Sequence, residues 1–220
     1  MAFMKSLRSK NPGLSKTQAS TVRKIAKKVQ NSQIERKTFG FLEENIQLFH
    51  NLGAYYGKFL NCAQGTQDPN DLATRLVRVG DEIYLRDFNI RLWLSNKRDR
   101  PNVMYKCFLF WYDVGASLTD ATLFFTQQNK MLDRINNEFI SVIDSKTIFS
   151  GPEYTDKEHS YLCTLKGRWK NRKIVYDEGG GTPRKRDIGI CVMAYDAYGS
   201  LQTDNIASFA YNANLTIQDP

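Results

Sequence analysis

The strongest constraint on this chain is an alternation near its C-terminal end. Phe209, Tyr211, Ala213, Leu215 and Ile217 fall on one parity, and Ser208, Asn212, Asn214 and Thr216 on the other. A period of two sends the two sets to opposite faces of an extended chain, so the segment reads as a half-buried β-strand. Ile188, Ile190, Val192 and Ala194 repeat the pattern upstream. Residues 103–112 (VMYKCFLFWY) are apolar on both parities, which predicts a central strand covered on both faces. Residues 82–94 carry a flaw. Ile83 and Leu85 share one parity, while Phe88, Ile90, Leu92 and Leu94 share the other. One extra residue turns every later side chain over, so a β-bulge is expected at Arg86-Asp87.

Shorter pieces complete the series. Residues 38–42 and 46–49 read as a first strand and its continuation, and 136–149 as a strand region. Residues 161–165 and 173–176 read as two short strands around a basic patch of Lys166, Arg168, Lys170, Arg172 and Lys173. Between the strands lie a turn-rich loop at 60–71, a hydrophilic turn at 96–102 and a helical turn at 119–124 capped by Ser117 or Thr119. Residues 178–186 (EGGGTPRKR) lack the Gly-Lys-Ser/Thr of a phosphate-cradling loop and precede a strand, not a helix. They read as a flexible surface loop, with 184–186 a weak polyanion or subunit contact. Seven or eight strands with almost no helix after residue 37 argue for an all-β, two-sheet sandwich or jelly roll.

Charge divides the chain in two. Residues 1–37 hold ten bases (Lys5, Arg8, Lys10, Lys16, Arg23, Lys24, Lys27, Lys28, Arg36 and Lys37) against one acid, Glu35. That is +9, whereas the whole chain is +8. The other 183 residues hold 21 bases and 22 acids, a net of −1. Such asymmetry points to a polyanion bound by an N-terminal arm. Within it, 1–14 read as disordered, broken at Asn11-Pro12-Gly13. A helix is expected over about 15–30. Ser15 and Gln18 have the spacing of a capping box, and Val22, Ile25, Ala26 and Val29 form one helical stripe. Like-charge pairs Arg23/Lys27 and Lys24/Lys28 weaken that helix until phosphates neutralise it. No aromatic interrupts the bases between residues 4 and 38, so binding through the arm is to the backbone, salt-dependent and poor in sequence specificity. The same lysines also read as a nuclear import signal.

Other chemistry has little support. Cys62, Cys107, Cys163 and Cys191 are too far apart for a zinc knuckle and read as buried thiols. His50 and His159 have no partner spacing, so neither a metal-dependent cupin-type enzyme nor histidine catalysis is expected, and no cofactor. No apolar run approaches the ~20 residues that span a bilayer, and Met1 leads into charge, not into a signal sequence.

The order of parts carries a resemblance. A basic arm is followed by LNCAQGTQD at 60–68, VGDEIYLRDFNIR at 79–91 and YKCFLFWYD at 105–113. This resembles the single jelly-roll capsid proteins of small circular Rep-encoding single-stranded DNA (circovirus-like) viruses, and is similar to the coat protein of the tobacco necrosis satellite viruses. Gly80-Asp81 and the flanking strands match best. Cys62-Ala63-Gln64-Gly65 stands where the families have a GI-x-QG core, and Arg78 lies one place from the usual arginine. The resemblance implies an eight-stranded antiparallel jelly-roll domain at 38–220 behind an arm at 1–37. It further implies a non-enzymatic capsid protein, a T=1 icosahedral homo-oligomer of about 60 copies, and packaging of the viral genome, single-stranded DNA before RNA. The expected location is the virion, with passage through the host nucleus. A non-viral nucleic-acid-binding sandwich with a basic tail is the alternative, and Ca²⁺ held by turn aspartates between subunits stays open.

Overall fold

One residue too many in a long strand sets the frame of the sandwich. β5 (Glu82–Asn96) buries Ile83 and Leu85 and then, past Arg86, buries Phe88, Ile90, Leu92 and Leu94 in the same core. Its register with β8 (Ser160–Val175) breaks between Leu85 and Asp87, and its register with β10 (Asn205–Asp219) breaks at Thr216/Ile217. The expected bulge is therefore there. It lets both halves of a 15-residue strand face inward. The computed structural model describes residues 15–33, 35–66, 77–149, 160–199 and 201–219. It separates into two units, Met1–Glu35 and Arg36–Pro220.

The second unit is two four-stranded sheets. One has the order β1 (Glu35–Phe49), β10, β5, β8; the other is β2 (Leu52–Tyr56), β9 (Arg186–Asp196), β6 (Val103–Asp113), β7 (Ile140–Phe149). Among these eight strands the first neighbours the last, the second neighbours the seventh, the third the sixth and the fourth the fifth. That nesting is a chain folded back on itself and rolled into a sandwich: a jelly roll. A two-residue parallel ladder, β3 (Ala63–Gln64) with β4 (Val77–Arg78), is added before β5.

β6 is covered on both faces, as its sequence predicts. Val103, Tyr105, Cys107, Leu109 and Trp111 enter the core between the sheets. Phe108, Phe110 and Tyr112 point the other way, under Leu123, Phe124 and Met131 of the β6–β7 connection. That connection includes α2 (Asp120–Leu123), N-capped by Thr119 in a reciprocal Thr119–Thr122 capping box. Each buried ring is worth roughly 2–3 kcal/mol.

The expected first strand at 38–42 and its continuation at 46–49 are one strand, β1, in which Asn45 has a φ of 58°. Two expectations need correction. The short strands at 161–165 and 173–176 are a single 16-residue strand, β8. Lys166, Arg168 and Lys170 are exposed while Gly167 and Trp169 keep to the core side and Arg172 lies over the Trp111 ring, so the charge run did not stop the strand. The glycine-rich loop is pinned. Gly181 accepts the Cys62 amide at 2.9 Å, and the buried Arg78 guanidinium donates to the carbonyls of Asp177 at 3.0 Å, Gly180 at 2.6 Å and Gly80. Arg78 also lies over the Tyr176 ring at 4.4 Å.

The first unit is α1 (Lys16–Gln33), 18 residues long. The Ser15 hydroxyl accepts the Gln18 backbone amide at 3.2 Å, and the Gln18 side-chain oxygen Oε1 accepts the Ser15 backbone amide at 3.0 Å. The reciprocal cap satisfies two amides that the first turn cannot. The expected disorder of 1–14 lies outside the described residues.

Candidate nucleic-acid interface

The ten arm bases do not share one environment. Lys5, Arg8 and Lys10 lie outside the described residues. Lys16, Arg23 and Lys24 are exposed and line one shallow surface of α1 with Ala19 and Ser20. At 100° per residue these positions share one helix face, and Val22, Ile25 and Val29 lie on the opposite one. The three apolar side chains are 49, 58 and 49% exposed. Lys27 and Lys28 belong to the same helix, and Arg36 is exposed at the start of β1. A row of exposed ammonium and guanidinium groups with no acid in the helix suits a polyanion backbone.

Lys37 is different. Its ammonium meets the Asp219 carboxylate at 2.8 Å, with the two side chains 12% and 2% exposed. Asp219 also accepts the Val79 amide at 2.8 Å. Lys37 thus ties the first sandwich strand to the last and is not free for a ligand. The sequence offered no signal for this, because the partner is 182 residues away.

Two further basic clusters converge. Arg172 and Lys173 of β8 and the run Arg184, Lys185, Arg186 line one open cleft of about 720 Å³ with Trp111 and Asp113. Its charge is largely spoken for. Lys173 pairs with Glu82, Arg184 with Asp177 at 2.5 Å and Arg186 with Asp113 at 3.0 Å, while Arg172 lies over the Trp111 ring at 5.1 Å. This cleft is built from ion pairs of the fold.

His50, the four cysteines and Asp187 are buried within the body. His50 is buried, its ring against Tyr195, and its Nδ1 accepts the Asp196 amide at 3.2 Å. Burial pushes its pKa below the ordinary imidazole value. All four cysteines are buried and free. Asp187, 1% exposed, accepts the amides of Leu60 at 2.9 Å and Ile188 at 2.6 Å. Burial outweighs those bonds and lifts its pKa to about 6. Among the described residues no three His, Cys, Asp or Glu groups are placed to hold a metal ion, and no helix is long and apolar enough to cross a membrane.

The fold and the exposed basic helix define the class: a jelly-roll domain carrying a polycationic segment. No protein-family model matches the chain, and no curated protein matches it. Among solved structures it is similar to that of turnip yellow mosaic virus, with 9% identity over 86% of this chain and 96% of that one, TM-score 0.37. Mud crab tombus-like virus shows 12% identity over 86% and 84%, TM-score 0.34. Merkel cell polyomavirus VP1, in complex with disialyllactose, shows 11% over 83% and 94%, TM-score 0.28. These are distant likenesses; the jelly-roll assignment rests on the strand order of the chain itself.

Proposed function

We propose that this chain is a capsid protein that assembles with copies of itself into a small closed shell and packages nucleic acid through its basic N-terminal segment. One observation carries the reading: a +9 segment joined to a jelly-roll body of net −1. Neutral bodies pack without mutual repulsion, while the segments supply counter-charge to an enclosed polyanion. Jelly rolls are a common capsid architecture. The role is structural, not catalytic. Icosahedral closure at T=1 takes about 60 copies, whose segments neutralise on the order of 500 phosphates. A circovirus-like virus with a single-stranded DNA genome fits the motif order at 60–113. The virion is the proposed location, and the lysine-rich segment supports transit through the host nucleus.

Negative-stain microscopy of the purified full-length protein, with the 260/280 nm absorbance ratio, tests this. Uniform shells with nucleic-acid absorbance are expected. Deleting residues 1–35 is expected to leave a folded body that retains no nuclease-protected nucleic acid. A small monodisperse species binding nucleic acid one-to-one overturns the capsid reading in favour of a non-viral binding module. Nucleic acid kept by the deletion variant removes the arm as the binding site.

A further inference from the structure

The two outer faces of the sandwich are unlike. The face of the β2-β9-β6-β7 sheet is roofed over Phe108, Phe110 and Tyr112 by the β6–β7 connection. On the β1-β10-β5-β8 sheet, Trp93 is 59% exposed and Leu162 75% exposed. Trp93 and Leu162 are cross-strand partners, so the two form one exposed apolar patch, the kind of feature that marks an interaction site.

Register shows what surrounds it. Because Phe88, Ile90, Leu92 and Leu94 are buried, Asp87, Asn89, Arg91, Trp93 and Ser95 share the outer face of β5. Trp93 lies between Ala210 of β10 and Leu162 of β8. One row along, Arg91 lies between Asn212 and Thr164, and the next row is Asn214, Asn89, Lys166. The row after that ends on Arg168 beside Asp87, which accepts the Thr216 hydroxyl at 3.4 Å. Arg91, Lys166 and Arg168 are exposed, and among the described residues none of them forms an ion pair. On the far side of Trp93 is a hollow of about 340 Å³, lined by the indole, Ser95, Ser160, Ser208 and Glu44.

We infer that this sheet face is a second binding surface for single-stranded nucleic acid, with Trp93 as a base-stacking plane and Arg91, Lys166 and Arg168 as phosphate contacts. The inference rests on the packaging reading and adds what the arm lacks, since its bases have no aromatic among them between residues 4 and 38. Every base has a π-face, so one indole accepts any of the four. The serine hydroxyls both donate and accept, and Glu44 accepts from exocyclic amino groups, so the hollow fits base edges without selecting one. The cations follow the strands away from the indole, as a backbone leaving a stacked base requires. A second copy of this chain would cover Trp93 and Leu162 as well, but would set three cations that form no ion pair among the described residues opposite a body whose net charge is only −1.

The test uses the full-length protein and fluorescent dT30 and rU30, with affinity read by anisotropy across a salt series and contacts by ultraviolet crosslinking and mass spectrometry. Trp93→Ala is expected to weaken binding roughly 5- to 100-fold, while Trp93→Phe stays within about threefold of wild type because a ring remains. The triple variant Arg91→Gln, Lys166→Gln, Arg168→Gln is expected to lower the salt slope by about 2, and crosslinks are expected at Trp93. The two oligonucleotides report which sugar is preferred; either preference supports a nucleic-acid surface. If wild type binds neither, the packaging reading fails and this inference with it. If wild type binds and neutralising Lys16, Arg23 and Lys24 weakens it, yet Trp93→Ala and the triple variant match wild type, the packaging reading stands and this surface is refuted. A Trp93→Ala protein with altered sedimentation and unaltered affinity makes the face a contact between copies, which also overturns it.

Discussion

The ammonium of Lys37 and the carboxylate of Asp219 meet at 2.8 Å, joining the first strand of the jelly roll to the end of the last. The contact ties β1 to β10 at one end of the sheet they share. It also moves one base from the arm's account to the body's.

Breaking that pair is therefore a stability experiment. Lys37→Ala leaves Asp219, 2% exposed, with the Val79 amide as its one remaining partner among the described residues. Removing one member of a buried pair costs about 3 kcal/mol. A lower urea midpoint is expected for Lys37→Ala with nucleic-acid retention per subunit unchanged. Reduced retention at equal stability would return Lys37 to the binding set.

Arg78 should resist even a conservative change. Its guanidinium reaches the Gly80, Asp177 and Gly180 carbonyls at once and stacks on Tyr176. A lysine ammonium cannot span that fork, and a buried cation with unmet partners is expensive. Arg78→Lys is expected to cost about 2–4 kcal/mol. It should also expose the 177–185 loop to limited proteolysis, where wild type stays intact.

Asp187 makes a pH prediction. Burial raises its folded pKa to about 6, above the usual unfolded aspartate value. The folded state then holds the proton more tightly, so the stability this group lends is complete below about pH 4 and is lost as pH rises through about 6. Two pH units correspond to about 2–3 kcal/mol. Asp187→Asn keeps an oxygen for the Leu60 and Ile188 amides and does not titrate. Urea midpoints of the variant minus wild type should be near zero at pH 4 and positive at pH 7. A difference independent of pH would refute the assignment.

The thiols should be silent. Cys62, Cys107, Cys163 and Cys191 are all buried. Burial raises the pKa of Cys62 and Cys191; Cys107 is raised first by its hydrogen bond to Cys163 and then by burial. That same bond lowers Cys163, which is still only 3% exposed. A thiol reagent is expected to titrate none rapidly in the native protein and all four in denaturant. A fast native equivalent would mean that one of these sites opens locally.

Much of the fold was legible where burial writes itself into parity. The flip at Arg86 was readable because Ile83, Leu85, Phe88 and Ile90 must all reach one core, and β6 because both its faces are buried. β8 was not, since Lys166 to Lys173 carry no apolar period; its pairing with β5 holds those residues extended, and that partner is some 80 positions away. The Ser15–Gln18 cap was legible because it is made within four residues.

Local chemistry alone thus determined the strand pattern, the capped helix and the separation of +9 from −1, because parity, capping and net charge depend on neighbours in the chain. Tertiary structure decided which charges are free. Lys37 and Arg78 are committed to Asp219 and to the 177–180 carbonyls, whereas Lys166 comes to the open face of Arg91 and Trp93 only through the register of β5 with β8. Those pairings join residues far apart in sequence, and only long-range strand order brings them within reach.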